Sequence, residues 1–453
     1  MRRLKKQYKN ELIEYVDKTY NLRISKRSDL YVYFFFKGLE LLNSHGNLVF
    51  ITSNSWLDVK FGRYLQEFLC KHAPIKNIFN NSAQRSFEEA DINTVISVIG
   101  AVNGKKMENK NWRNDTSRWP HLLHEAQFIN FKKPYYEVIN PKSLHTLEAD
   151  SDWDKKIRFD RTKFKVFHTN DFRRVVIKQG KLLEDGWSYP EGYSGESFKK
   201  GEYKGNKCGG KFIRAPDIYW TIMEKGEETL VEVGEIASVE GYIHGNNVGE
   251  GYPKVPFLES IEEAQGILLD EGSKGVKSFG VKDKGNSRTL ADLLFPRMIG
   301  KRFFVAVNVA EVYGQKFYKI ICNTEQDKYS IGAFLNSSIE FLQNEIMLNA
   351  AWGMGALSAN SSDVRRLHVI PNLEIAKNQV KKLFDRPVKD IFTELGFHKQ
   401  LPIREQTPDP LPDRKELDDI IFDALGLSKQ ERKEVYWAIA ELVKSRLEKA
   451  QSV

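Results

Sequence analysis

Asparagine and arginine residues in two segments are the side chains of this sequence best suited to recognise another molecule. The segments cover 241–247 and 295–304, and their candidates are His244, Asn246, Asn247, Arg297 and Arg302. Asparagine matches the hydrogen-bonding edge of adenine and arginine that of guanine, each through two bonds at once. Taken singly, the glycines and asparagines here are better explained by turn geometry. The set as a whole favours recognition of nucleic-acid bases.

Metal-dependent DNA cleavage is a second chemistry to weigh. The triplet Glu202-Tyr203-Lys204, with Asp185 upstream, weakly matches the two-carboxylate and lysine arrangement that binds magnesium. The triplet falls in a glycine-rich loop segment rather than on a recognisable hairpin. The sequence therefore gives a nuclease centre little support.

Cysteine and histidine residues do not form metal-ligand patterns in this sequence. They stand apart from one another as Cys70, Cys208 and Cys322, and as His45, His72 and His244. Neither a disulfide framework nor a metal site is predicted.

The charge balance favours a polyanionic partner. The chain has 69 Lys and Arg against 61 Asp and Glu, a net charge of +8, and 12% aromatic residues available to stack on bases. Charge alone is a modest argument, because many basic proteins bind no nucleic acid.

Length and hydropathy bound the class of protein. The 453 residues predict two to four domains, at roughly 150 residues each. No apolar run approaches the roughly 20 residues that span a bilayer. The basic start Met1–Lys6 lacks the apolar core of a signal peptide. We therefore expect no membrane partner and a cytoplasmic location.

The pattern of residues 28–102 predicts alternating helices and strands of one α/β layer. Ser28-Asp29 starts a helix, and Leu48–Ile51 is a buried strand with a polar loop at its carboxyl end, where an open α/β sheet binds ligands. A second helix over Leu57–Cys70 and a strand over Ile75–Phe79 follow. The β-branched run Thr94–Gly100 predicts a strand covered on both faces. The side chains predicted to point inward are Leu30, Phe34, Phe35, Gly38, Leu39, Leu41 and Leu42 in the first helix, and Phe61, Tyr64, Leu65, Phe68 and Leu69 in the second.

A family resemblance adds to this pattern. It is carried by Asp29-Leu30-Tyr31, Gly38-Leu39-Glu40-Leu41-Leu42, Gly46-Asn47-Leu48-Val49-Phe50-Ile51-Thr52-Ser53-Asn54-Ser55-Trp56, Phe87 and Asn93-Thr94-Val95-Ile96. These residues resemble the second half of an adenine-specific DNA methyltransferase, and more narrowly the fused type IIG restriction-modification enzymes. The resemblance extends to most of the chain. It implies a partial methyltransferase (Rossmann-like) α/β sheet, an α+β target-recognition domain and a C-terminal helical segment.

Two hallmarks of that family are missing from this sequence. The family first has a glycine-rich loop for S-adenosylmethionine and then an Asn-Pro-Pro-Tyr segment that holds the target amino group. Here Asn140-Pro141 is followed by Lys142, and no glycine-rich turn follows a strand before residue 28. We expect the chain to be a fragment or one subunit of a split enzyme, with an N-terminal methyltransferase or nuclease portion elsewhere. S-adenosylmethionine would serve the intact enzyme and would not bind this chain alone.

The resemblance also implies roles for residues of the substrate pocket. Phe87 lies where the family places an aromatic ring against a flipped adenine, although a Phe before a strand is more often part of the core. Asp29 and Tyr31 would support the pocket from behind, with helix capping as the alternative for Asp29. Asn54 would line the sheet edge or simply form a turn.

Four parts are expected along the chain: the methyltransferase-like half-domain over 1–104, a connector with loops over 105–210, the target-recognition domain over 211–375 and a helical brace over 376–453. Within the recognition domain, Val233–Val239 is predicted as a strand and 331–337 as the start of a helix. In the brace, Gly426 ends one helix and Ser428–Glu431 caps the next. The residues predicted to contact DNA are His244, Asn246, Asn247, Arg297, Lys301, Arg302 and Trp352.

The predicted function is recognition of double-stranded DNA within an adenine-specific methyltransferase or restriction-modification enzyme. Without its cofactor half, the chain should methylate nothing. The alternatives are a stand-alone DNA-binding specificity subunit, a decayed remnant without a catalytic partner, and a fragment of a phage-defence methyltransferase.

Overall fold

A computed structural model describes most of the chain as mixed α/β. The described residues are 6–22, 24–82, 93–102, 119, 121–140, 164–188, 201–282, 290–351, 355–373, 375 and 383–451. The chain divides into two compact units, Met1–Asp217 and Ile218–Val453. Within the described ranges, no helix has the length and apolar character needed to cross a membrane.

Unit 1 is built on a six-stranded sheet with the order β1-β3-β2-β4-β6-β5. Its strands are β1 (Asn47–Ser53), β2 (Ile75–Asn81), β3 (Thr94–Gly100), β4 (Glu125–Phe131), β5 (Phe164–His168) and β6 (Phe172–Lys178). Its helices are α1 (Lys6–Tyr20), α2 (Leu30–Glu40), α3 (Arg63–His72), α4 (Tyr135–Val138) and α5 (Gln179–Asp185). A two-stranded ladder of β7 (Trp187–Ser188) and β8 (Glu202–Tyr203) and a π-helical turn over Gly209–Arg214 complete the unit. Among the described strands of unit 1, β2 and β4 are the one parallel pair.

Helix α2 begins where the sequence predicted, because Asp29 caps it. The Asp29 carboxylate accepts a hydrogen bond of 2.6 Å from the Leu30 amide. The predicted inward face is wrong at Phe34 and Leu41, which are 52% and 73% exposed. The buried face instead consists of Val32, Tyr33, Phe35, Phe36 and Leu39.

The predicted helix over 57–70 is shorter than expected. Two 3-10 turns, Asn54–Leu57 and Lys60–Gly62, precede α3. The chain passes so closely over Trp56 that a Cβ at Gly62 would overlap the Trp56 carbonyl oxygen. The Gln66 side chain then donates a hydrogen bond of 2.8 Å to the same oxygen. This tight crossing delays the regular helix until Arg63.

Strand β1 is an edge strand, so the prediction of a buried strand is wrong. It pairs antiparallel with β3, and no other described strand pairs with it. Phe50 faces α2, where its ring centroid lies 5.2 Å from that of Phe35. Val49 and Ile51 point to the opposite face and are 64% and 47% exposed. Burial also alternates along β3, which is therefore not covered on both faces.

The segment predicted as a connector, 105–210, differs from that prediction by contributing β4, β5 and β6 to the same sheet. Arg173 of β6 fastens the end of the unit. Its guanidinium donates hydrogen bonds to the carbonyls of Ala215 and Ile213 at 2.7 and 2.8 Å and pairs with Asp217 at 2.7 Å. The run Phe128–Tyr135 predicts a strand that stops, and β4 confirms the strand over its first four residues. Sequence patterning gave no strand for β5 and β6, because the charged residues along them disguise the apolar alternation.

A buried cation lies in the core of unit 1. The Lys71 side chain is 0% exposed and pairs with Glu67 at 2.8 Å. Its ammonium lies 4.1 Å from the ring centroid of Trp119 and 4.8 Å from that of Trp187. Next to it, burial and the Lys71 charge lower the pKa of His72 to about 3. This charged core site is fully enclosed by the protein.

Unit 2 contains a five-stranded sheet with the order β10-β18-β14-β16-β12 and several smaller sheets. Its strands are β9 (Val231–Glu232), β10 (Ala237–Glu240), β11 (Lys254–Leu258), β12 (Leu268–Leu269), β13 (Lys277–Gly280), β14 (Leu293–Pro296), β15 (Met298–Ile299), β16 (Ala306–Asn308), β17 (Tyr313–Gly314), β18 (Phe317–Cys322), β19 (Asn349–Ala351), β20 (Ala356–Ser358) and β21 (His368–Val369). Its helices are α6 (Asp217–Lys225), α7 (Val233–Ile236), α8 (Glu325–Phe334), α9 (Ser338–Met347), α10 (Ser361–Arg365), α11 (Ile391–Leu395), α12 (Pro412–Ala424) and α13 (Lys429–Gln451).

Two sequence predictions for unit 2 need correction. The strand predicted over 233–239 begins at Ala237, because a short helix, α7, precedes it. The helix predicted to begin near 331 is already ending there, and the next one begins at Ser338. The Asn336 side chain fills the gap between them by hydrogen bonds to the Val305 amide and carbonyl at 3.0 and 2.9 Å.

The C-terminal helices form as predicted. Gly426 adopts a φ of +63° after α12, and the Ser428 and Glu431 capping bonds are present at 3.3 and 2.6 Å. Buried polar bonds attach these helices to α9: Asp418 accepts from the Ser338 hydroxyl at 2.6 Å, and Arg446 pairs with Glu345 at 2.7 Å. Burial raises the pKa of Asp418.

Candidate nucleic-acid interface

The candidate interface begins with the turn that follows β10. Ile243 is 2% exposed and packs against Phe257 and Val281, which anchors the turn from below. A 3-10 turn over Gly245–Asn247 follows, closed by a hydrogen bond of 2.9 Å from the Asn247 amide to the His244 carbonyl. His244 and Asn246 are exposed, and Asn247 is half-buried. The turn thus presents polar side chains on a rigid base.

Sheet topology brings Arg297 to this turn. β10 and β14 both run antiparallel to β18, which lies between them, so their carboxyl ends lie at the same end of the sheet. Tyr242 follows β10 and Arg297 follows β14. The Arg297 guanidinium carbon lies 3.7 Å from the ring centroid of Tyr242. The Tyr242 ring in turn lies 4.7 Å from that of His244, centroid to centroid.

The backbone of Arg297 is held on both sides. Its amide donates to the Lys316 carbonyl at 3.0 Å, and its carbonyl accepts from the Ala359 amide at 2.9 Å. Tyr318 lies beside the guanidinium, and its hydroxyl donates to the Ala359 carbonyl at 3.2 Å. Burial raises the pKa of Tyr318, and the positive charge of Arg297 together with its side-chain hydrogen bond to Tyr318 opposes that shift. The arginine is therefore fixed in place by its neighbours.

Arg297 differs from nearby cations in having no carboxylate partner among the described residues. Lys319 pairs with Glu240 at 3.0 Å, and Lys316 pairs with Glu259 at 2.7 Å. The Nε atom of Arg297 is buried without a hydrogen-bond partner within the same ranges. We name the set Tyr242, His244, Asn246, Asn247 and Arg297 the turn–arginine site.

Lys301 and Arg302, also predicted to contact DNA, have different surroundings. Lys301 is exposed, and its carbonyl accepts a hydrogen bond from the Ile391 amide at 3.0 Å. The Arg302 guanidinium donates to the carbonyls of Ile261 and Ala264 at 2.6 and 2.8 Å. This bonding fastens the 261–264 turn. Arg302 therefore has a structural role, and DNA contact by it stays a prediction.

The residues predicted to support the substrate pocket meet at the carboxyl end of β1. The Tyr31 hydroxyl is buried, and burial together with the Asp29 carboxylate raises the Tyr31 pKa. The Asn54 amide donates to the Asn93 carbonyl at 3.0 Å, which joins the end of β1 to the start of β3. Asp29 caps α2, the alternative reading of that residue. Asp29, Tyr31 and Asn54 thus lie at one end of the sheet, and their pocket role stays a prediction.

Phe87 and Trp352 lie outside the described residues. Of the triplet weighed as a nuclease centre, Glu202 and Tyr203 form β8 and Lys204 follows it. Glu202 pairs with Lys204, and Asp185 pairs with Lys181 at 2.9 Å. No group of three or more His, Cys, Asp or Glu in the described ranges is arranged to hold a metal ion. Cys70, Cys208 and Cys322 are free thiols.

Tyr242 is the member of the turn–arginine site that sequence reasoning missed. Its neighbours in the sequence suggested a glycine turn and nothing more. The pairing of β10 and β14 with β18 places the Tyr242 ring against the Arg297 guanidinium, which the sequence does not show. An aromatic residue two positions before an exposed histidine was the available signal.

Comparison with known proteins matches the amino-terminal part of the chain to one family. Residues 3–87 match the family described as Eco57I restriction-modification methylase. The match confirms the predicted resemblance to a restriction-modification methylase for that segment, while adenine specificity stays a prediction. No curated protein matches the chain.

Three solved structures are similar to the chain at low identity. The type IIG restriction endonuclease BpuSI is 12% identical, with a TM-score of 0.41 over 99% of this chain and 53% of that one. The type IIL restriction-modification enzyme MmeI, solved in complex with DNA, is 12% identical with a TM-score of 0.35 over 99% and 55%. The HsdS subunit from Thermoanaerobacter tengcongensis is 11% identical with a TM-score of 0.23 over 52% and 50%. The chain spans about half the length of each of these proteins. Similarity to the Eco57I restriction-modification methylase family over residues 3–87 is thus the assignment that these comparisons give.

Proposed function

We propose that this chain is the DNA-recognition and substrate-pocket portion of an adenine-specific restriction-modification methyltransferase. The family match over residues 3–87 is the observation that carries this proposal. Unit 2 recognises double-stranded DNA through the turn–arginine site. Unit 1 contributes part of the methyltransferase sheet.

DNA binding by unit 2 is supported by the chemistry of its exposed groups. His244 and Asn246 are exposed donors and acceptors beside a cation that lacks a carboxylate partner in the described ranges. Lys301 is an exposed positive charge in the same unit, and the whole chain carries a net charge of +8. Such groups suit contact with phosphates and base edges.

A second polypeptide segment that completes the sheet of unit 1 is part of the proposal. Edge strands that face water are commonly protected by lysine, proline or a bulge. β1 has the sequence Asn-Leu-Val-Phe-Ile-Thr-Ser, without a charge, and exposes Val49 and Ile51. β5, at the other edge of the sheet, carries Lys165 and His168. We propose that β1 accepts a strand of the cofactor-binding portion of the methylase.

The residues present do not compose a site for S-adenosylmethionine. The sequence has neither the glycine-rich turn nor the Asn-Pro-Pro-Tyr segment that the resemblance calls for. We therefore assign no methyl-transfer step to this chain. In the assembled enzyme, Asp29, Tyr31 and Asn54 would support the pocket, and Phe87 would stack on the flipped adenine.

DNA binding by the purified chain tests this proposal. A pool of random duplexes is selected on the chain, and the affinity of the selected pool is measured against salt concentration. We expect enrichment of one short motif and an affinity that falls steeply as salt rises. The variant Lys433→Ala removes an exposed charge on α13. It serves as the control for any variant that removes one positive charge from the turn–arginine site. Absence of binding at low salt would contradict the proposal.

A second experiment distinguishes the split enzyme from the alternative, a stand-alone specificity protein. The chain is mixed with the cofactor-binding portion of an Eco57I-type methylase, and transfer of labelled methyl groups to the selected duplex is followed. Transfer that requires both components supports the split enzyme. Motif binding without complex formation favours the stand-alone protein.

A further inference from the structure

We infer that Arg297 reads a guanine in the major groove of the recognised DNA and that Tyr242 positions it for that contact. The inference rests on the proposed DNA-binding function of unit 2 and names the base that this site selects. It is carried by the stacking distance of 3.7 Å between the Arg297 guanidinium carbon and the Tyr242 ring centroid.

The Arg297 guanidinium has no carboxylate partner within the described part of the chain, and its buried Nε has no hydrogen-bond partner there. A half-buried guanidinium has lost part of its hydration, and a carboxylate within the protein usually compensates for that loss. Among the described residues, Arg173 is compensated in this way by Asp217 at 2.7 Å, and Arg446 by Glu345 at 2.7 Å. Arg297 has the Tyr242 ring and a hydrogen bond to the Tyr318 side chain in place of a carboxylate. An acceptor supplied by a ligand would complete its bonding.

The geometry of Arg297 favours a base edge over a phosphate. The N–H donors of a guanidinium lie in one plane at its rim. Stacking on Tyr242 covers one flat face and leaves that rim for hydrogen bonds. Backbone bonds to Lys316 and Ala359 fix the main chain of Arg297, and the contacts of its guanidinium with Tyr242 and Tyr318 orient that plane. A fixed planar pair of donors matches the O6 and N7 acceptors of guanine, the commonest specific contact of arginine with DNA. A phosphate contact needs charge without such orientation.

Tyr242 acts through Arg297 and is a positioning residue. Its ring is flanked by His244 at 4.7 Å and by Tyr318 at 6.0 Å, centroid to centroid. These neighbours leave the ring little freedom to rotate away. The hydroxyl is not needed for stacking, so phenylalanine should replace tyrosine without loss of specificity, whereas leucine should not.

The experiment repeats the random-duplex selection with four variants: Arg297→Ala, Arg297→Lys, Tyr242→Leu and Tyr242→Phe. Wild-type protein should enrich a motif with an invariant G·C pair. Exchange of that pair for A·T should weaken wild-type binding by about 10- to 100-fold. Arg297→Ala should lose this discrimination, and Arg297→Lys should lose it while keeping its salt dependence, because lysine keeps the charge but not the planar pair of donors.

The Tyr242 variants supply the readout that a purely structural role would not give. Tyr242→Phe should retain the discrimination, and Tyr242→Leu should lose it while the rest of the motif persists. Circular dichroism and thermal unfolding establish that each variant is folded. Equal discrimination by wild-type protein and Arg297→Ala, or full discrimination by Arg297→Lys, would overturn the inference and leave the proposed function standing. Wild-type protein that binds no DNA would overturn both.

Discussion

Two cations that contact aromatic rings, one in each unit, differ in what completes their environment. Lys71 lies against Trp119 and Trp187 with a side chain that is 0% exposed, and Glu67 neutralises it at 2.8 Å. Arg297 lies on Tyr242 with its guanidinium half-buried and no carboxylate partner in the described ranges. The same cation–π interaction thus occurs in an enclosed site at Lys71 and in an open site at Arg297. The first stabilises the fold, and the second is the one that we propose for contact with DNA.

Loss of the enclosed cation should have the largest effect. Lys71→Met leaves the Glu67 carboxylate buried without its partner, and we expect the free energy of unfolding to fall by roughly 3–5 kcal/mol. Urea unfolding measures this change, with Lys76→Met on the exposed side of β2 as the control. The double variant Glu67→Gln/Lys71→Met should recover much of the loss, because it leaves no buried charge unpaired. An unchanged unfolding free energy for Lys71→Met would contradict the enclosed-site assignment.

Substitution of Arg302 tests whether this residue, which was predicted to contact DNA, stabilises the fold instead. Its guanidinium donates to the carbonyls of Ile261 and Ala264, so Arg302→Ala should destabilise unit 2 by about 2–3 kcal/mol. The affinity of the folded variant for the selected duplex should stay within about threefold of wild type, a change well under 1.4 kcal/mol. A large loss of affinity without a loss of stability would place Arg302 at the DNA instead.

The pH dependence of stability tests the enclosed site of unit 1, where His72 lies next to Lys71. The folded pKa of His72 is about 3, below the ordinary value of about 6.5, so the unfolded chain binds a proton in this interval and the folded chain does not. The contribution of neutral His72 to the free energy of unfolding is therefore fully present above pH 6.5, and it is lost as pH decreases towards 3. Between pH 7 and pH 5, wild-type protein should lose about 2 kcal/mol more than His72→Gln. Equal slopes for the two proteins would show that His72 titrates normally when folded.

Arg297→Ala should have the smallest effect on stability. It removes a partly exposed cation from one ring, so the free energy of unfolding should change by less than about 1 kcal/mol. Urea unfolding at pH 7 measures this change alongside Lys71→Met. A loss comparable to that of Lys71→Met would show that Arg297 also serves the fold, and the contrast between the two sites would disappear.

Local signals explain which parts of the fold followed from the sequence. The Asp29 cap, the Gly426 stop and the Ser428–Glu431 capping box each depend on residues within a few positions, and the structure has all three. The burial of β1 was predicted wrongly, because an apolar run does not reveal whether other elements pack on both faces of the strand. Strands β5 and β6 were missed because charged residues interrupt the apolar alternation along them.

The turn–arginine site was predicted only in part. Glycine, asparagine and arginine on turns marked His244, Asn246 and Arg297 as candidates. Their convergence depends on the order β10-β18-β14, which no local pattern encodes. Tyr242 could be recognised as the partner of Arg297 only from that order. Arg302 shared the composition signal and is bonded to backbone carbonyls instead.

Affinity measurements with two duplexes decide whether Arg297 reads a base. The duplexes are the selected motif and a copy in which its invariant G·C pair is replaced by A·T, and each is titrated with wild-type protein and with Arg297→Ala. We expect the exchange to weaken binding by wild-type protein at least about tenfold and to leave the affinity of Arg297→Ala almost unchanged. Equal losses for both proteins would show that Arg297 does not read a base.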